Sequence, residues 1–350
     1  MHVPDGFINA PVSAVTGVIA AGAIAVSLKG ARRELDEKTA PLAGLVAAFI
    51  FAVQMLNFPV AAGTSGHLLG GALAAILVGP FTGVLCVSVV LLMQGILFAD
   101  GGLTALGVNI TDMAIVTTVV AYAVFRGLVK VLPRKRRSIT VSAFVAALLS
   151  VPGAAVAFTF IYALGGTTDV SITKVATAMV GVHLLIGVGE AAITALTVGA
   201  VIAVRPDLVY GARGLQQRLK LRVNGELVDA PGTAPVPVAA RTSRRAVWAA
   251  GLAASVVLAG FVSFYASASP DGLEKIAHDQ GIDKKAEEHA ASDSPLADYG
   301  VKDVSDARVS GSLAGVIGVG VTVVAGTGVF WAVRRRRTDD TSPVSLPEGV

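Results

Sequence analysis

Nine apolar runs, at about 11–28, 41–57, 67–79, 83–98, 108–132, 139–163, 173–204, 246–267 and 311–333, constrain this chain more than any other feature. Most approach the roughly 17–25 residues that carry a helix across the hydrocarbon core of a bilayer. Of the 350 residues, 54% are hydrophobic and 15% charged, whereas a soluble domain carries about a quarter charged residues. Ala, Val, Gly and Leu dominate the runs, and small residues suit close helix packing in lipid. The fold class is therefore an all-α integral membrane protein. The single cysteine, Cys86, lies inside an apolar run. An intramolecular disulfide, a cysteine-only metal site and an iron–sulfur cluster are thereby excluded.

Charge placement gives the topology, because connections rich in Lys and Arg stay in the cytoplasm. Basic clusters occur at Lys29, Arg32, Arg33 and Lys38, at Arg134 to Arg137, in the segment 205–245 and at Arg334 to Arg337, while 58–66, 99–106 and 164–172 hold no Lys or Arg. The first two clusters require an even number of crossings between them, so the stretch 67–98 must cross twice, breaking at Gly79-Pro80. The N-terminus is then expected outside and the C-terminus in the cytoplasm. No Lys or Arg precedes Lys29, so the basic flank of a cleaved signal peptide is missing, and Met1 is expected in the mature protein.

Four segments are expected: a metal-binding transmembrane domain at 1–205, a basic, Pro-rich cytoplasmic linker at 206–245, a two-helix module at 246–333 around an external loop 268–310, and a disordered cytoplasmic tail at 334–350. The external loop has ten Asp or Glu against five Lys or Arg, with His278 and His289 among them.

The chain starts MHVPDGFINAP. A free Met1 amine and the His2 amide nitrogen close a five-membered ring on one metal ion, and His2 Nδ1 closes a six-membered one. A fourth nitrogen completes a planar site of the kind that suits Ni(II) or Cu(II). The amide must lose its proton to bind, so occupancy falls with pH. His67, in GTSGHLLGG at the outer start of the third run, is the natural fourth ligand. The alternative readings are a solvated terminal residue for His2 and an interfacial helix-start histidine for His67. Gln94, Asn109, Asp112, His183 and Glu190 lie in or near runs, where polar groups are costly and often functional. His183 and Glu190 are seven apart on one helix face, either packed as a pair across the bundle or placed along a metal path. Asp100 reads as a solvated loop residue. The small residues Ala21 and Ala25 offer a weak docking stripe for a partner helix.

The strings MHVPDGF, GHLLGG, the run from Gln94 to Asn109, and HLLIGVGEAAIT at 183–194 resemble the CbiM/NikM family, the cobalt/nickel substrate-capture subunits of energy-coupling-factor (ECF) ABC transporters. Residues 270–274, Pro-Asp-Gly-Leu-Glu, resemble the PDGLE motif of that family's accessory component. The resemblance implies a substrate-binding bundle of about seven helices fused to two C-terminal transmembrane helices. It implies Met1, His2 and His67 as metal ligands, Ni²⁺ or Co²⁺ as cargo with no other cofactor, and uptake that can feed cobalamin synthesis. It also implies a separate transmembrane coupling subunit and cytoplasmic ATPase subunits as partners, in the plasma membrane of a prokaryote. The chain itself has no G-x-x-x-x-G-K-[ST] loop and no H-E-x-x-H, so neither ATP hydrolysis nor zinc peptidase chemistry is expected of it. Its basic clusters are a topology signal and imply no nucleic acid. The rival readings are a channel or secondary transporter acting alone, and a redox protein holding haem between His2, His67 or His183.

Overall fold

The structure, a computed structural model, describes residues 1–36, 39–61, 63–133, 135–215, 220–223, 226–229 and 242–339. The helices are α1 (Ala10–Glu34), α2 (Ala40–Gln54), α3 (Gly71–Val78), α4 (Pro80–Leu97), α5 (Leu106–Asn109), α6 (Thr117–Val131), α7 (Arg136–Gly165), α8 (Ile172–Val204), α9 (Arg244–Gly260), α10 (Gly272–Gln280) and α11 (Ala307–Asp339). A π-helical segment, Ile110–Val116, joins α5 to α6 without interruption. Among the described residues seven of these spans are long and apolar enough to cross a bilayer. The shorter α2 is buried along most of its length, and every residue of α3 is buried. Helices apolar on all sides belong inside, so α2 and α3 form the centre. Around them α1, α6, α8 and α11 turn Val18, Val119, Leu196 and Val324 outward, the lipid-facing surface of a membrane bundle.

The third apolar run is helical only from Gly71; residues 67–70 carry no regular structure. Four irregular residues at about 3.3 Å and eight helical ones at about 1.5 Å still span roughly 25 Å. Gly79 then turns the chain with φ +106, a conformation that glycine adopts without a Cβ penalty, and it lies against the Glu34 carboxylate at the far end of α1. That carboxylate accepts hydrogen bonds from Thr82 N (2.7 Å) and Thr82 Oγ1 (2.8 Å), capping α4. The chain thus breaks at 79–80, where charge parity places the reversal, while α3 is shorter than the seven spans long and apolar enough to cross.

The connections segregate to two ends. Residues 1–9, 55–61, 63–66, 98–105, 166–171 and 261–306 gather at one, and the turns near Glu34, Gly79 and Arg213 at the other. The expected linker contains short helical turns at Pro206–Leu208 and Tyr210–Leu215, in which Leu208, Val209 and Ala212 are buried. Apolar residues therefore dock its start, while the Pro-rich stretch 230–240 lies outside the described residues. Helix α11 continues to Asp339, beyond the expected start of the tail, and 340–350 lie outside the described residues.

Candidate metal centre

The N-terminal segment is threaded into the bundle and pinned at almost every step. Asn109 brackets Val3, accepting from its N–H (2.7 Å) and donating to its carbonyl (3.1 Å), and the Gly102 N–H donates to the same carbonyl (2.9 Å). The Asp5 carboxylate accepts from Thr104 N (2.8 Å) and Thr104 Oγ1 (2.5 Å). Asn9 N donates to the Gly165 carbonyl (2.7 Å), and its side chain caps α1 through Val12 N (3.0 Å). Buried backbone groups must find partners, and here those partners fix where Met1 lies. Met1 and Val3 are both buried.

The Met1 amine reaches His67 Nε2 at 2.6 Å, and the rings of His2 and His67 stack with centroids 5.1 Å apart. The structure therefore brings Met1, His2 and His67 together. His67 Nδ1 lies 3.0 Å from the Leu68 carbonyl, an acceptor only, so Nδ1 carries the hydrogen and Nε2 presents its lone pair to the amine. Burial foremost pushes the His2 imidazole down to about 4, against a smaller opposing pull from Asp100. His2 is neutral at ordinary pH. Rings stacked this closely leave no slot between them for a porphyrin, which removes the structural basis of the haem reading for this pair.

Glu190 holds the backbone that carries His67. Its carboxylate accepts from Leu69 N (2.7 Å) and Gly70 N (3.1 Å), the two residues just ahead of α3. His183 lies on the same face of α8 but bonds its own helix, Nδ1 to the Met179 carbonyl at 2.7 Å. The two do not pair with each other; Glu190 braces the 67–70 backbone from behind, and His183 lines the wall beside Met1, His67 and Asp271.

The loop between α9 and α11 closes over this site, and each residue of its Pro-Asp-Gly-Leu-Glu string has a job. The two-stranded hairpin β1 (Phe58–Pro59) and β2 (Ser65–Gly66) receives it: Ser65 N donates to the Pro270 carbonyl (2.9 Å), and Ser267 N to the Asn57 carbonyl (2.7 Å). Asp271 divides its carboxylate. Oδ1 accepts from Leu273 N and Glu274 N, the Glu274 side chain returns the bond to Asp271 N, and this capping box starts α10. Oδ2 lies 2.6 Å from the Met1 amine and 3.5 Å from His67 Nε2. Burial alone would raise the Asp271 carboxyl, but the N-terminal charge beside it outweighs that and holds it well below the usual carboxylate range. A Cβ on Gly272 would meet Val182 Cγ1 at 2.8 Å and Ile186 Cδ1 at 3.1 Å, so only glycine permits this approach to α8. Leu273 and Ile276 are buried on the same side, each worth about 2 kcal/mol of docking.

Asp100, far from being merely solvated, lies with Oδ1 3.3 Å from His2 Nδ1 and accepts from Tyr299 Oη at 2.6 Å. A cavity of about 630 Å³ opens here, lined by His2, His67, Asp100, Asp271 and Tyr299, and gives the site access to solvent. Among the described residues no three His, Cys, Asp or Glu side chains converge on one metal position. The buried Met1 amine adds a backbone nitrogen to the donors gathered here. Sequence reasoning missed Asp271 as a contact of Met1, and it missed Tyr299 altogether. The lone aromatic in an acidic loop was the available signal.

Comparison with known proteins places the chain. The sequence profile described as "Cobalt uptake substrate-specific transmembrane region" (CbiM) matches residues 2–208. This chain belongs to the CbiM family. The PDGLE domain profile matches residues 245–335 of the same CbiM-family chain, so capture region and accessory region are fused. A protein of Haloquadratum walsbyi is 38% identical over 216 residues, 60% of this chain and 94% of its own. The fused nickel transport protein NikMN of Rhodobacter capsulatus is 43% identical over 125 residues, 36% of each chain. The CbiM-family fold also recurs in a crystal structure of a truncated transition metal transporter, with a TM-score of 0.51 and 28% identity over 58% of this chain and 99% of that one.

Proposed function

We propose that this chain is the substrate-capture subunit of a nickel or cobalt uptake system, and that Met1, His2 and His67 hold the ion. The observation that carries the reading is the buried Met1 amine 2.6 Å from His67 Nε2. With metal–nitrogen bonds of about 2 Å, neighbouring nitrogens of a planar site stand about 2.8 Å apart, so the amine and imidazole already sit close to ligand spacing. The amine, the His2 amide, His2 Nδ1 and His67 Nε2 then complete four nitrogens around the ion. Planar nitrogen coordination and the affinity order both favour Ni²⁺ over Co²⁺.

Residues 1–205 form the capture region of this reading, and 246–333 its accessory module. Because Arg32, Arg33, Arg136 and Arg205 lie at the ends of α1, α7 and α8 away from the site, the positive-inside rule favours that end in the cytoplasm of a prokaryotic cell and the site outside. Asp271 and the acidic loop draw dications to the cavity. Release inward then falls to a separate transmembrane coupling protein driven by cytoplasmic ATPases, since this chain has no phosphate loop. Vesicles containing this chain alone that accumulate Ni²⁺ would point instead to a channel or secondary transporter.

Calorimetry in buffers of different ionisation enthalpy tests the ligand set. Binding of Ni²⁺ to the full chain is expected to release protons from the backbone nitrogens and to weaken as pH falls. His2, neutral down to about pH 4, contributes nothing to that weakening at higher pH. Replacement His67→Ala is expected to cost at least about a hundredfold in affinity, or about 2.7 kcal/mol; binding that is unchanged in this variant and independent of pH overturns the proposed site.

A further inference from the structure

The imidazole of His2 can serve the ion only if its hydrogen resides on Nε2, because Nδ1 is the nitrogen that closes the six-membered ring. Three contacts decide the matter. Tyr299 Oη lies 2.6 Å from Asp100 Oδ2, and a carboxylate only accepts, so the single hydroxyl hydrogen of Tyr299 goes to Asp100. The tyrosine oxygen is left as an acceptor. Gln94 approaches it at 3.0 Å and must therefore present its NH₂ group. That choice turns the Gln94 carbonyl oxygen toward His2 Nε2, 3.1 Å away. A carbonyl accepts and never donates, so His2 carries its hydrogen on Nε2; Asp100 Oδ1, 3.3 Å from Nδ1, is a close charge contact without a hydrogen bond, and Nδ1 is left bare.

We propose that Tyr299 is a positioning residue for metal capture: acting through Gln94, it locks His2 in the tautomer whose Nδ1 is free to bind. This rests on the reading of Met1, His2 and His67 as the metal site. The loop is built to deliver that hydroxyl. Asp298 and Tyr299 both adopt left-handed backbone, with φ of 53 and 55, where non-glycine residues are uncommon and cluster at functional positions. Asp298 N is tied to the Phe98 carbonyl at 2.9 Å, and the Tyr299 ring stacks on Phe98 with centroids 4.9 Å apart. Both fused regions therefore take part: Gln94 and Asp100 come from the capture bundle and Tyr299 from the accessory loop. Removing a partner that orients a metal-binding imidazole typically costs 10- to 100-fold in affinity.

The test uses the metal-free full chain labelled with ¹⁵N in its histidines, with the substitution Tyr299→Phe, which keeps the stacked ring and removes only the hydroxyl. Ring ¹⁵N shifts of the parent protein are expected to show His2 wholly as the Nε2–H form. In Tyr299→Phe the Gln94 amide is free to turn over, a mixture of tautomers is expected, and Ni²⁺ affinity falls about tenfold. Adding Gln94→Glu, which accepts from Nε2–H in either orientation, is expected to restore the single tautomer. An unchanged tautomer in Tyr299→Phe, whatever the affinity does, overturns the inference, as does a parent protein with hydrogen on Nδ1. Because the shifts are read without metal, a failure of the metal site itself shows separately, as absent Ni²⁺ binding in a parent protein whose tautomer is as described.

Discussion

An acetyl group on the Met1 amine lowers Ni²⁺ affinity by on the order of a thousandfold, about 4 kcal/mol. The amine is buried, it stands 2.6 Å from His67 Nε2, and it anchors the first chelate ring. Acetylation removes its lone pair and its charge together. An extension of several residues should do the same, because Val3, Asp5 and Asn9 are each bonded to the bundle and leave no slack to readmit a displaced terminus. A single added residue is the wrong probe: it puts histidine third from the amine, where two amides, the amine and the imidazole make a four-nitrogen chelate without His67. Isothermal titration of the acetylated full chain checks the prediction, and retained affinity would remove the amine from the ligand set.

The second large effect belongs to Asp271. Replacing Asp271 by Asn keeps an oxygen to cap α10 but leaves the buried Met1 charge without its partner, and removing one member of a buried ion pair costs about 3–5 kcal/mol. Asp271→Ala also deletes the cap, for about 1 kcal/mol more. The loop itself should stay docked in the Asn variant, because Leu273 and Ile276 remain buried and Pro270 still pairs with Ser65. The sign with pH follows from the carboxyl being held below its ordinary value of about 3.9. Over the window beneath that value the unfolded chain binds more protons than the folded one, so stability rises with pH there. The contribution is fully present above about pH 4 and is lost as pH falls through the folded value. Denaturation of the parent and Asp271→Asn should therefore differ at neutral pH and converge in strong acid. A variant as stable as its parent at neutral pH would show that the pair contributes nothing.

The spans and the break at 79–80 were legible because a bilayer imposes both a length and a charge rule on the sequence, and both act locally. The proposed roles of Met1 and His2 came from the sequence for another reason: chelation by an amine, an adjacent amide and an imidazole depends on neighbouring atoms of one short peptide. What the sequence could not carry is contact across long separations. Met1 and Asp271 are 270 residues apart, and the PDGLE segment reads equally well as a solvated acidic stretch until β2 and α8 are seen to receive it. Asp100 was misread for the same reason, since its partner Tyr299 arrives from the other fused region. Gln94, Asn109 and Glu190 were noticed as polar groups at membrane depth, yet Gln94 bonds the His2 and Tyr299 side chains, Asn109 the Val3 backbone and Glu190 the backbone of residues 69–70. The start of α3 was placed too early because the backbone N–H groups of residues 69–70, ahead of the helix, are satisfied by Glu190 from a distant helix.

Nickel K-edge absorption on the loaded full chain tests the central claim most directly. Four nitrogen neighbours in a plane, with the pre-edge feature of square-planar Ni(II), are what the Met1, His2 and His67 site predicts; a six-coordinate shell rich in oxygen would contradict it.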